Sequence, residues 1–383
     1  MPTKYDVFAR VIEKAPCKQK DLGFKTLVYS HLTSLLKDKW IRKNTKGDLI
    51  PLKNKETEQV FELIRLSLKN NLDYNIFFSQ NFPKVLITLS KAIPQLNPKE
   101  TSHNKINGEI INFLGKNQFM IIWKKRPKLG TLLNHSIFEI IKKQNLSKFN
   151  IKEKFQKTNT LINSVLKIPK KEVNPFDTNV FEFLTGSAQL EGSTVSIGET
   201  VDLILKEIYP NKPAEDVQMV KNLNEALRYT LEHLEEDLTI EHIKEVNRLC
   251  LFSLHRGAGM LKKVQNKITG NPNFKTTFPN NVLPELEKFC KIFNNIQSRE
   301  DCLKHIGFIH NQHQRIHPFV DGNSRTTRIL VSWLLMKFGF PLLVLKVGAF
   351  EKYMNLTKLS IKRDDYFLTN FLLHIIYHEE LMK

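Results

Sequence analysis

Along much of this 383-residue chain apolar residues recur every three to four positions, the spacing that places one stripe on a helix. YDVFARVIEK (5–14) and TLVYSHLTSLLKDKW (26–40) carry it, with KQKDLG (18–23) as a short helix between them. KETEQVFELIRLSLKNNL (55–72), HSIFEIIKKQNLSKFNIKEKFQKTNTLINSVL (135–166), VFEFLTGSAQLEG (180–192) and DCLKHIGFIHNQHQRI (301–316) continue it. From Ser324 the run SRTTRILVSWLLMKF passes from amphipathic to wholly apolar, which predicts a buried helix. Two stretches break the period. WIRKNTKGDLIPL (40–52) has apolar segments flanking NTKGD, whose Asn44 and Gly47 suit a turn, so it predicts a hairpin with lysines at its tip. EIINFLGKNQFMIIWKK (109–125) reads as a second hairpin turning at GKNQ. ILVSWLLMKFGFPLLVL is interrupted by Lys337 and Pro341, so no membrane segment is expected. The pattern is that of a mainly α protein.

Charge divides the chain. Residues 1–175 hold 33 Lys and Arg against 14 Asp and Glu, the whole excess of +19, and residues 176–383 hold 25 of each. A neutral part joined to a basic part implies separate modules, with the boundary at KIPKKEVNPFD, where Pro169 and Pro175 interrupt the helical pattern. The first 55 residues, three helices and a two-stranded wing, resemble a winged helix-turn-helix, in which the third helix enters the major groove and the wing touches the backbone. That resemblance implies DNA as a partner, as the basic charge does. A winged fold used only for protein contacts is the alternative. Residues 56–175 read as a mostly helical basic connector, whose lysines can equally be a solvated face. The N-terminus has no apolar signal core, and Cys17, Cys250, Cys290 and Cys302 form no C-x-x-C pair, so a cytoplasmic protein with reduced thiols is expected.

The chemistry concentrates in HPFVDGNSRTTR (317–328). Pro318, Gly322 and Asn323 form a loop that delivers the chain into a helix N-terminus, where unpaired N–H groups and the macrodipole favour anions. Arg325 and Arg328, three apart, can offer planar donor forks to phosphates from one face. Asp321 is a carboxylate of the kind Mg²⁺ takes alongside waters and substrate phosphates. His317 is then available to remove a proton. His305, His310 and His313 at near-helical spacing raise a metal site as an alternative; packing or hydrogen-bonding histidines on an apolar face are the simpler reading.

HPFVDGNSRTTR resembles the Fic signature, His-x-Phe-x-Asp/Glu-Gly-Asn-x-Arg-x-x-Arg, with seven fixed identities that chance would supply on the order of once in a billion starting points. SAQLEGS (187–193) is similar to the family's inhibitory motif at Ser187, Glu191 and Gly192, within a helix at about 178–192. NKITGNPNFKTTFP (266–279) falls where the family has a target-docking β-hairpin flap, here Lys267, Ile268, Thr269, Thr276, Thr277 and Phe278. The likeness covers residue 176 to the C-terminus. It implies a Fic-type helical bundle that transfers AMP from ATP to a Ser, Thr or Tyr hydroxyl of a protein or of itself. His317 would be the base, Asp321 the Mg²⁺ ligand, and Phe319 the loop's anchor in the core. Gly322, Asn323, Ser324 and Arg325 would bind the nucleotide, and Arg328 would meet the γ-phosphate unless Glu191 occupies it. Ser324 departs from the family's usual glycine, and is expected as a helix N-cap. The resemblance leaves open the removal of AMP, a nucleotide-sensing DNA-binding regulator, and a homodimer.

Overall fold

The computed structural model of the chain describes residues 2–26, 28–91, 105–126, 129–145, 150–268 and 270–383. The chain divides into two compact units, Met1–Thr88 with Ser136–Asn150, and Leu89–His135 with Ile151–Lys383.

In the first unit α1 (Lys4–Lys14) starts at a capping box, where Thr3 accepts from Asp6 N–H and the Asp6 carboxylate accepts from Thr3 N–H. Its buried stripe of Val7, Phe8 and Val11 meets Leu22 of a 3₁₀ turn (Gln19–Leu22), Leu32 and Leu35 of α2 (Tyr29–Lys37), and Trp40. α2 is shorter than the expected 26–40, because Lys39 takes a left-handed φ of 58° that ends the helix before Trp40. β1 (Ile41–Lys43) and β2 (Leu49–Pro51) pair antiparallel, Ile41 opposite Pro51. Their turn is held by Asn44, whose side-chain oxygen accepts from Lys46 and Asp48 N–H. α3 (Lys55–Lys69) continues the same core through Val60 and Ile64. α4 (Tyr74–Phe77) and α5 (Phe82–Lys91) follow.

Residues 56–175 are therefore not one connector. Residues 56–88 and 136–150 belong to the first unit, whereas Ile121, Leu133, Leu161, Ile162 and Val165 join the core of the second. The second hairpin also lies elsewhere than expected. Residues 105–116 form α6 (Lys105–Lys116), and GKNQ is the helix end that feeds β3 (Met120–Lys124). Buried Gln118 fixes that corner, donating to Val344 O and to Glu379 while accepting from Lys346 N–H. β3 pairs with β4 (Leu129–Leu132), Met120 opposite Leu132. The predicted 135–166 helix is likewise two helices, α7 (Ser136–Asn145) and α8 (Thr158–Val165). Between them residues 150–157 are non-helical, and the Gln156 N–H and C=O find partners in His374 and Asn370 instead of a helical turn.

The second unit is mainly helical: α9 (Thr178–Gln189), α10 (Ile197–Lys206), α11 (Ala214–Glu232), α12 (Ile240–Cys250), α13 (Pro279–Asn294), α14 (Arg299–Ile316), α15 (Asn323–Lys337), α16 (Val347–Leu356) and α17 (Asp365–Met382). α15 is the axis. From Arg325 to Met336 every residue on it is buried, so it has no solvent face, and α11, α12 and α14 pack around it. α14 is crossed on its other side by α17. The buried histidines of α14 are hydrogen-bonded, His310 to the Tyr353 hydroxyl and His313 to the Thr327 hydroxyl. The short loop 317–322 between α14 and α15 is consequently clamped at both ends by core helices.

Candidate functional site

The loop starts at a strained residue. His317 caps the C-terminus of α14 with φ +48°, its N–H bonded to His313 O. Phe319 is fully buried and anchors the loop, and the Asn323 side chain closes it, accepting from Phe319 N–H and donating to Phe319 O at 3.0 and 2.8 Å. Asn323 thus holds the loop's shape with both ends of its amide. Gly322 has φ +75°, and a Cβ there would approach Asn247 Nδ2 to 2.9 Å, so both conformation and space demand glycine. Gly322 is also the residue that caps α15, which corrects the expectation for Ser324: the serine sits inside the first helical turn.

A second layer holds this loop from residues far away in sequence. Asn247 on α12 donates to Asp321 O and to the Thr326 hydroxyl, and accepts from Gly259 N–H. Lys262 N–H donates to Pro318 O, and its buried ammonium donates to Asn266, Thr276 and Ile316 O. Asn266 in turn donates to Phe319 O. Neither Asn247 nor Lys262 carries a local signal in the sequence, because each acts through a fold-made contact.

These neighbours set the electrostatics. Burial, reinforced by the Lys262 charge, pushes the His317 imidazolium down to about 4, so the ring is neutral at pH 7. Its Nδ1 lies 3.3 Å from Gln314 O, which selects the tautomer with a proton on Nδ1 and a lone pair on Nε2. Burial also lowers Lys262, to about 8. Asp321 projects its carboxylate outward, more than half exposed, with one oxygen 3.4 Å from Arg325 Nη2. Arg325 is buried, and its Nε has no hydrogen-bond partner among the described residues. An outward carboxylate beside an unsatisfied guanidinium N–H fits a divalent cation and an anionic ligand held at the head of α15.

Arg328, one turn further along α15, is 2% exposed and points at the end of α9. Its Nε donates to the Ser187 hydroxyl at 2.7 Å, and Nη2 donates to Ser187 O at 3.0 Å and to Glu191 Oε1 at 2.7 Å. α9 stops at Gln189, and Gly192, with φ +101°, turns the chain away, which presents Glu191 from a turn rather than from the last helical residue. Burial opposes ionisation of Glu191, but the charges of Arg328 and Arg325 hold its carboxyl below the usual range. The pair borders a pocket of about 290 Å³, counting its open mouth, that Ser324, Gln314, Tyr353 and Lys358 also line.

The segment expected as the flap is held largely by side chains. Among the described residues of 266–279 the strand-like pairing is an isolated antiparallel bridge between Ile268 and Asn271. Thr276 is buried against Lys262, Gln265 and Asn266, and Thr277 N–H already bonds Arg315 O. Lys267 is exposed, Ile268 is buried, Phe278 is exposed at the start of α13, and Thr269 lies outside the described residues.

Residues 237–335 match the family model described as Fic/DOC family. The protein adenylyltransferase Fic of Nematostella vectensis is 31% identical over 180 residues, 43% of this chain and 40% of that protein. Protein adenylyltransferase fic-1 of Caenorhabditis elegans is 26% identical over 180 residues, 45% of this chain and 35% of that protein. The chain thus spans well under half the length of these curated relatives. A solved Fic-domain signalling protein of Bacteroides thetaiotaomicron is 23% identical, covering 59% of this chain and 95% of its own, with a TM-score of 0.49.

Removing the Lys262 charge should make His317 easier to protonate, since a nearby cation disfavours imidazolium. In Lys262→Met the His317 ring, followed by NMR between pH 3.5 and 7, is expected to titrate at higher pH than in the parent; an unchanged midpoint would assign the depression to burial alone.

Proposed function

We propose that this protein is an adenylyltransferase that moves AMP from ATP to a hydroxyl side chain of a protein, itself included, and that Glu191 restrains it. The observation that supports this most is the 317–328 loop and helix start, which matches the Fic/DOC model and sets a neutral His317 just before α15, whose first turns carry Arg325 and the Glu191-paired Arg328. His317 Nε2 accepts the proton of the incoming hydroxyl, while the Nδ1–H bond to Gln314 O holds the ring's orientation. Arg325 and the free N–H groups of the first turn of α15 receive phosphate oxygens. Asp321 is the residue that would hold Mg²⁺, which when bound supplies positive charge to the phosphates.

Glu191 competes for the same charge. While its carboxylate holds Arg328 Nη2, that donor is withheld from a terminal phosphate, and the bound nucleotide loses the alignment that transfer requires. A charge-assisted bond contributes about 1.5–3 kcal/mol, which corresponds to roughly ten- to 150-fold restraint if it alone sets the balance. Glu191→Gly is expected to raise self-modification by α-³²P-ATP with Mg²⁺ by that order, and His317→Ala in the same background to abolish it. Labelling that survives His317→Ala would reject the assigned base. A silent Glu191→Gly protein that still binds ATP would reject the restraint.

We infer a second role for the N-terminal unit, DNA binding, supported by its excess of 19 Lys and Arg over 10 Asp and Glu in residues 1–88 and 136–150 and by its α2 and β1–β2 arrangement. The exposed Arg42, Lys43 and Lys46 on and beside the hairpin would contact phosphates. Arg42→Ala with Lys43→Ala and Lys46→Ala should then weaken duplex binding and flatten its dependence on salt by up to about three contacts' worth of slope. Equal affinity and slope in parent and variant would exclude this surface.

A further inference from the structure

The junction between α11 and α12 gathers two histidines and a carboxylate that the reaction chemistry does not use. His233 follows the last residue of α11, Glu236 lies in the connecting turn, and His242 stands in the first turn of α12. One donor atom from each lies within 4.8 Å of the other two, and His242 Nε2 is 3.5 Å from Glu236 Oε2. A tetrahedral centre with bonds of about 2.0–2.2 Å holds its donors roughly 3.4 Å apart, so one pair already has that spacing and the third closes by a side-chain rotation. We propose that His233, Glu236 and His242 form a site for a divalent transition metal, Zn²⁺ by donor type, that fastens α11 to α12.

The surroundings of the rings favour ligation. His233 Nδ1 lies 2.9 Å from Tyr229 O, so that nitrogen donates its proton to a carbonyl and Nε2 keeps its lone pair outward. A carbonyl behind a ligating imidazole fixes its tautomer and strengthens it as a donor. His242 Nδ1 accepts from Thr239 N–H across a long 3.3 Å, with Nε2 facing Glu236. On metal binding its neutral ring carries the proton on Nδ1 instead of Nε2, so this long contact from Thr239 N–H is given up in exchange for the metal bond. The rings are also wedged: His233 lies 4.2 Å from Tyr229 between centroids, and His242 lies 5.5 Å from Trp333 of the axial helix. The turn itself is pinned, since Lys337 donates to Glu236 O and Glu236 N–H bonds His233 O.

Two imidazoles and one carboxylate suit Zn²⁺ better than the all-oxygen preference of Mg²⁺ or Ca²⁺, and Glu236, 57% exposed, leaves the fourth position open to water. The four cysteines are buried and offer no competing surface thiolate.

Calorimetric titration of the full chain with Zn²⁺, without nucleotide, should show one equivalent bound per chain. Co²⁺ should give the visible bands of a tetrahedral nitrogen–oxygen centre. His233→Ala and Glu236→Gln should each weaken Zn²⁺ by roughly tenfold or more, and the rise in melting temperature that Zn²⁺ gives the parent should disappear. His242→Ala also removes a capping contact, so His233→Ala, at the free end of α11, is the decisive variant. Asp321→Ala should leave the titration unchanged. Absence of a stoichiometric Zn²⁺ event in the parent overturns the proposal, as does an event that survives His233→Ala and Glu236→Gln or vanishes only in Asp321→Ala; the cluster is then an ordinary hydrogen-bonded helix junction.

Discussion

A guanidinium that is 2% exposed must find partners, and the fold around the site is organised to supply them to Arg328. Burying a charge without compensation costs several kcal/mol, and removing one member of a buried pair leaves that cost behind. Ser187 provides two acceptors, Glu191 provides the countercharge, and the Tyr353 hydroxyl is a further hydrogen-bonding neighbour that also bonds His310. The set draws α9, α14, α15 and α16 to one point. Arg328 is therefore stable with Glu191 in place, and a phosphate oxygen offers the same charge complement from the pocket side. Either partner would satisfy the guanidinium, which is the physical basis for the restraint proposed for Glu191.

The loop that precedes Arg328 obeys the same logic with neutral groups. Asn323 closes it on Phe319, Asn247 fixes the Asp321 carbonyl, and Lys262 ties Pro318 and Ile316 to the 262–276 segment. Each bond contributes only about 1 kcal/mol net, but together they hold His317 in a left-handed conformation that a free chain would rarely visit. The reward for that strain is position: an imidazole kept neutral by burial, placed beside an exposed carboxylate and the open first turn of a helix.

Much of this was legible in the sequence where the cause is local. The 317–328 motif, the buried helix after Ser324 and the turn at Asn44–Gly47 follow from short-range pattern and turn chemistry, and the structure has them there. The Glu191 partner was implied by resemblance, and the contact is present at 2.7 Å. What failed was set by distant groups. Residues 109–116 carry apolar residues that suit strand or helix, and the choice is made at the corner where Gln118 reaches Val344 and Glu379. Lys262 and Asn266 hold Thr276 by bonds that no short-range pattern shows, and Ser324 lost the cap position to a glycine whose φ is +75°. The assignment of 136–150 to the first unit has no short-range signal at all.

In the proposed restraint Glu191 occupies the place a terminal phosphate would take on Arg328. Calorimetry of ATP and ADP against the parent and Glu191→Gly reads it directly, because only ATP carries the third phosphate. The parent is expected to bind ATP little better than ADP, and Glu191→Gly to gain affinity for ATP by about tenfold or more with ADP nearly unmoved. An equal gain for both nucleotides, or none for either, would contradict it.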